Sequence, residues 1–110
     1  MADILGAFEQ AVLLAVLRLG EGAYGRAILA DVQARLERDV VAGAVHATLE
    51  RLERKGFLSS SLGSGTPVRD GRARRFYRLE PAGIRALDDA RYALDRVWRG
   101  ASGLLKGTLA

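Results

Sequence analysis

Cysteine is absent from this chain, which removes disulfides, thiolate-bound metals and cysteine nucleophiles together and is compatible with a reducing cytosol. There is a single histidine, no cluster at metal-ligand spacing, and no serine with a visible base partner. The adjacent Asp88 and Asp89 point roughly 100° apart on a helix, so they are not a converging carboxylate pair. No enzyme and no cofactor are expected. Aromatic residues are scarce at 6%, too few for a sheet-rich sandwich, so helix should dominate. Long apolar runs are missing as well. The longest, Ala11 to Leu17, falls far short of the roughly 20 residues that span a bilayer, and no basic leader precedes it. The expectation is a soluble, cytoplasmic protein with no membrane partner, built on one core because 110 residues leave room for little more.

What the chain does contain is a lopsided distribution of charge. The net charge is +4, and the window Arg69 to Arg78 (RDGRARRFYR) carries Arg69, Arg72, Arg74, Arg75 and Arg78 against Asp70 alone. The twelve remaining Lys and Arg balance the twelve remaining Asp and Glu, so the whole excess sits in that window. A basic cluster around Gly71, beside the strand-like RRFYRL, describes a hairpin aimed at a polyanion.

Helical periodicity organises the first half. Phe8, Val12, Ala15, Val16 and Leu19 recur at helical spacing, while Leu13, Leu14 and Leu17 coat much of the remaining circumference. Such a helix needs cover on more than one side, from its own domain and from a second copy of the chain, which makes Phe8, Leu13 and Leu17 candidate dimer residues. A second helix is expected over Tyr24 to about Arg38, with Ala27, Ile28, Val32 and Leu36 inward. A third fits about Ala42 to Lys55, with Val45, Leu49 and Leu52 as its apolar stripe and Gly56 as its stop. FLSSSL and RRFYRL then read as two strands joined by a loop, Gly63 to Ala73. Pro81 starts a last helix with Leu87, Ala90, Leu94, Val97, Ala101 and Leu104 in 3-4 spacing, a seam for a partner helix, weakened at its end by Gly100 and Gly103. Leu87, Leu94, Val97 and Trp98 complete the expected dimer interface.

Three helices, a strand, a basic loop, a strand and a helix form the element order of a winged helix-turn-helix. The expected fold is mainly α with a small β-hairpin: residues 1–80 make the DNA-binding unit and residues 81–110 a C-terminal dimerisation helix. In this architecture the second helix of the motif offers its N-terminal residues to base edges in the major groove. With its stripe inward, the third helix turns Gly43, His46, Ala47, Glu50 and Arg54 outward. Ala42, Gly43 and Ala47 are small enough for the backbone to approach DNA closely, and Arg51 lies at the flank within reach of phosphate. His46 has two readings, a base or phosphate contact and a plain surface histidine, while Glu50 is expected to pair with Arg54 at i, i+4. Arg72 and Arg74, nearest the hairpin tip, are the first candidates to meet the DNA backbone. Arg69 and Arg75 follow, and Arg78 either joins them or supports the fold.

A competing pattern is Gly20-Glu21-Gly22-Ala23-Tyr24-Gly25, which fits the dinucleotide signature G-x-G-x-x-G. The preceding segment has helical periodicity and no further β-α-β units complete a parallel sheet, which argues against a nucleotide fold. A reading from another class is a winged-helix interaction module whose basic hairpin binds an acidic protein partner. Preference for one DNA sequence over random DNA separates that reading from a DNA-binding regulator.

From about Leu5 to Trp98 the chain resembles the PadR family of winged-helix transcriptional regulators, in its short form with one C-terminal helix. The likeness rests on LGAFEQAVLLAVLRLGEGAYG, on GAVHATLERLERKGFL and on TPVRDGRARRFYRLEPAG, occurring in that order. The resemblance implies a homodimeric repressor on inverted-repeat double-stranded DNA, joined through its first and last helices, and release by a small hydrophobic or aromatic effector. It carries DNA contact to Tyr24, Gly43, His46 and the hairpin arginines. His46 stands where the family commonly has tyrosine, and Asp70-Gly71-Arg72-Ala73 where it usually has two glycines followed by two basic residues. Trp98 has two readings under the resemblance, packing at the dimer seam and stacking on a planar effector.

Overall fold

The structure, a computed structural model, describes residues 4–67 and 73–109. Helix α1 (Ala7–Leu19) starts after Gly6, whose amide donates to Glu9 Oε1 at 3.2 Å, so a first-turn carboxylate satisfies an amide at the helix start. A 3-10 turn, Gly20–Gly22, follows, then α2 (Gly25–Leu36) and α3 (Ala42–Arg54). The G-x-G-x-x-G pattern therefore follows a helix and not a strand, and the nucleotide reading has no structural basis. Beyond α3, Gly56 adopts φ +81°, a left-handed conformation that glycine reaches without strain.

The three helices enclose one core. Val12, Leu13 and Val16 of α1 meet Ile28 and Val32 of α2 and Val45, Leu49 and Leu52 of α3, all buried. Each such side chain contributes about 1.5–3 kcal/mol on burial, whereas a surface ion pair contributes roughly 0–1 kcal/mol, so packing decides this fold. The ion pairs fix orientation: Arg18 holds Asp31 of α2, its Nε 3.3 Å from Oδ1, and Glu9 receives Lys55 at 3.4 Å and Arg51 at 3.5 Å from the end of α3. Leu13 was expected to face a second copy. It is fully enclosed by its own domain, because α2, α3 and the hairpin together cover more of α1 than one stripe.

Strands β1 (Leu58–Pro67) and β2 (Ala73–Leu79) pair antiparallel, Leu58 opposite Leu79 and Ser60 opposite Tyr77, with a register shift between Leu62 and Pro67. The segment from Gly63 was expected to be loop, yet strand continues to Pro67. Phe76 lies over Gly63, where a Cβ would come within 2.6 Å of Phe76 Cε2, so the glycine permits this cross-strand approach. The hairpin is also stitched to the start of α2. Tyr24 forms a bridge with Phe76, and the Tyr77 amide donates to the Ala23 carbonyl at 2.8 Å. Leu58 and Tyr77 close the core from this side.

Helix α4 (Pro81–Trp98) opens with proline in its first turn. Gly83 brings it onto the hairpin: a side chain there would collide with the Phe57 carbonyl and lie 2.7 Å from Leu79 Cδ1. Ala86, Leu87 and Ala90 rest on the core, and beyond them the helix projects. The radius of gyration, 16.5 Å, exceeds the roughly 13 Å of a compact chain of this length, as a projecting arm requires. A single last helix, weakened by Gly100 and Gly103 and fraying after about Trp98, was expected. Helix α4 does stop at Trp98, but Gly100 turns the chain at φ +80°, and a separate α5 (Ser102–Leu109) follows. Among the described residues no helix is long and apolar enough to cross a membrane, and no group of acidic residues and histidine could hold a metal.

Candidate nucleic-acid interface

The outward face of α3 is open. Ala42, Gly43, His46, Ala47, Glu50 and Arg54 are all exposed, and a Cβ added at Gly43 would meet nothing within 4 Å. The opposite face, with Val45, Thr48, Leu49 and Leu52, is buried, as helical spacing requires. Within the open face His46 Nε2 lies 2.9 Å from Glu50 Oε1. Glu50 therefore pairs one turn back with His46, and not with Arg54 as expected. At the front of the helix stands Val41, an apolar residue 74% exposed, which the sequence reading passed over as part of a link. Its only sequence signal was its place immediately before the first helical residue.

Arg51 was expected at phosphate. In the free chain its Nε lies 3.5 Å from Glu9, and a terminal nitrogen donates to the buried Thr48 hydroxyl at 3.4 Å, while the side chain stays exposed. A partly enclosed carboxylate on α1 outcompetes solvent for this guanidinium. Burial pushes the Glu9 carboxyl pKa up, but the Gly6 amide, Lys55 and Arg51 outweigh burial and hold it below its ordinary value.

The hairpin places its arginines on two faces. Arg74 lies on the face toward α2, with its guanidinium carbon 4.4 Å from the centre of the Tyr24 ring, and Tyr24 meets Phe76 edge-on at 5.8 Å. Arg75 lies on the other face, exposed, and donates to Ser60 Oγ at 3.0 Å, while Ser60 donates to Glu53 at 2.8 Å. Arg78 sits 3.6 Å from Glu80, which also accepts from the Ser59 hydroxyl at 2.6 Å, so Arg78 serves the base of the hairpin. Arg69 and Arg72 lie outside the described residues. Burial raises the Tyr77 hydroxyl pKa, with Glu53 adding and Arg75 opposing.

Of the remaining interface candidates, Phe8 and Leu87 are partly buried against their own core, whereas Leu17, Leu94, Val97 and Trp98 are exposed, Val97 by 75%. Ile84 and Tyr92 on α4 are exposed too and were not singled out from the sequence. Between the end of α1, the hairpin and Ile84 runs an open cleft of about 610 Å³, lined by Val16, Leu17, Phe76, Tyr77 and Leu79 among others.

A three-helix core, an open-faced α3 and an adjoining basic hairpin are the parts of a winged-helix regulator. The statistical profile of the transcriptional regulator PadR-like family matches residues 13–89. The chain belongs to the PadR-like family of transcriptional regulators. It is 46% identical over 61 residues to "Transcriptional regulator Rv3488" of Mycobacterium tuberculosis, a stretch covering 56% of this chain and 53% of that protein. The chain thus spans about half the length of the curated relative it matches. Among solved structures it is similar to a PadR family transcriptional regulator from Eggerthella lenta, with 28% identity and a TM-score of 0.66 over 86% of this chain and 80% of that one. A PadR-like transcriptional regulator from Bacillus cereus shares the fold, with a TM-score of 0.72 at 19% identity over 91% and 92% of the two chains.

Proposed function

We propose that this PadR-like protein is a homodimeric, sequence-specific repressor that binds inverted-repeat operator DNA. The observation that carries the reading is the open face of α3, where Ala42, Gly43 and Ala47 are exposed with Arg54 on the same side. Small residues let the helix enter a major groove closely, and its front end meets base edges. Arg74 and Arg75 on the hairpin, with Arg69 and Arg72, supply phosphate contacts, so affinity comes from the hairpin and preference from α3.

Two copies join through the exposed apolar residues Leu17, Leu94, Val97 and Trp98, which the monomer leaves in water. Two-fold pairing sets two α3 helices about one DNA turn apart, hence an inverted repeat. The effector in this reading is a small hydrophobic or aromatic compound, seated where Trp98 meets the partner copy. A footprint on the DNA upstream of this gene, run beside light scattering of the free protein, tests the proposal. Two symmetric protected half-sites and a dimer mass are expected; a monomer that protects no discrete site overturns it.

A further inference from the structure

Tyr24, Phe76 and Arg74 form a stack that joins the start of α2 to the hairpin. Tyr24 is bridged to Phe76 through the backbone, beside the 2.8 Å hydrogen bond from the Tyr77 amide to the Ala23 carbonyl. The side chains repeat the connection: the Phe76 ring meets Tyr24 edge-on, and the Arg74 guanidinium lies against the Tyr24 ring at 4.4 Å. An aromatic ring attracts a cation over its face, so the ring restrains an arginine that would otherwise sample many rotamers. Glu80, just past the end of β2, is engaged with Arg78 and Ser59, and Arg74 has no carboxylate partner among the described residues.

We propose that Tyr24 is the positioning residue of the wing: its ring, and not its hydroxyl, holds Arg74 in a fixed place relative to α3 so that hairpin and helix engage one DNA surface in register. The inference rests on the DNA-binding reading above and deepens it. A pre-positioned arginine spends less conformational entropy on phosphate than a free one. The stack also explains why an aromatic residue occupies the extended position before α2, where capping alone favours Ser, Thr, Asp or Asn.

The test compares Tyr24→Phe, which keeps the ring, with Tyr24→Leu, which removes it, each in the normal and the Arg74→Ala background. Folding is checked by circular dichroism. Two readouts are taken: the Arg74 Nε–Hε resonance of the free protein, and affinity for a duplex carrying the gene's own upstream DNA. The resonance should move away from its ring-shifted position in Tyr24→Leu and stay in Tyr24→Phe. Tyr24→Leu should bind DNA about two- to fivefold more weakly than Tyr24→Phe, the scale of an exposed cation–π contact, and that difference between the two variants should vanish in the Arg74→Ala background. Equal affinities in Tyr24→Phe and Tyr24→Leu, or a difference between them that persists without Arg74, overturn the inference. A resonance unmoved in Tyr24→Leu overturns it without reference to DNA, whereas a correct resonance response in a protein indifferent to DNA brings down the DNA-binding reading and the positioning role with it.

Discussion

His46 and Glu50 face each other one turn apart on the open side of α3, Nε2 to Oε1 at 2.9 Å. Both side chains are more than half exposed, so the pair adds little to stability; its interest is the DNA. A carboxylate on the groove-facing side repels phosphates. Glu50→Gln should therefore raise affinity for any duplex about threefold, the scale of one unit-charge repulsion in water. His46→Ala should change which sequence is preferred. Shift assays on a panel of related duplexes check both effects.

Glu9 makes folding pH-dependent. Its carboxyl pKa in the fold is held below the ordinary 4.5 by the Gly6 amide, Lys55 and Arg51, which together outweigh burial. A depressed carboxylate contributes stability at pH values above its unfolded pKa and loses that contribution as pH falls through the folded value. Glu9→Gln should therefore cost stability near pH 7 and flatten its decline below about pH 4.5. Urea unfolding at a series of pH values reads this directly.

Leu13 and Leu17 lie four residues apart on α1 with opposite fates, one enclosed in the core and one 56% exposed. Leu13→Ala should cost about 2–5 kcal/mol of stability, the range for a buried leucine. In the proposed dimer, Leu17→Ala should leave each folded chain nearly as stable while weakening association, and Val97→Asp should separate the copies. Denaturant unfolding and light scattering distinguish the two behaviours.

These residues also show how far the sequence could be read. The face of α3 was legible because polar and apolar positions alternate at 3.6 residues, so Val45, Leu49 and Leu52 chose the inside without help. On α1 nearly every position is apolar, so periodicity could not separate Leu13 from Leu17, and three-dimensional cover decided. The Arg51–Glu9 pair was not legible because Glu9 is distant in sequence, and the Glu50–His46 pair was not because both His46 and Arg54 lie at suitable spacing. The Tyr24–Phe76 bridge depends on strand register and on how α2 meets the hairpin, which local pattern does not encode. Gly100 was visible as a weak point, but that a second helix would follow it was not.

The hairpin arginines should act as a group. Arg72→Ala combined with Arg74→Ala should weaken binding to specific and random DNA alike, while changes at Gly43 should alter preference with little effect on salt dependence. Unchanged binding in the double variant would remove the hairpin from the interface.

The central claim, that this PadR-like chain reads a particular duplex through α3 while the hairpin grips phosphate, is tested most directly by a salt-series shift assay with the gene's own upstream DNA beside random DNA of equal length. The account predicts tighter binding to the upstream DNA at every salt concentration, with affinity falling steeply as salt rises and a slope reduced by roughly 2 in the double arginine variant. Equal affinity for the two duplexes across the series, or none for either, would contradict it.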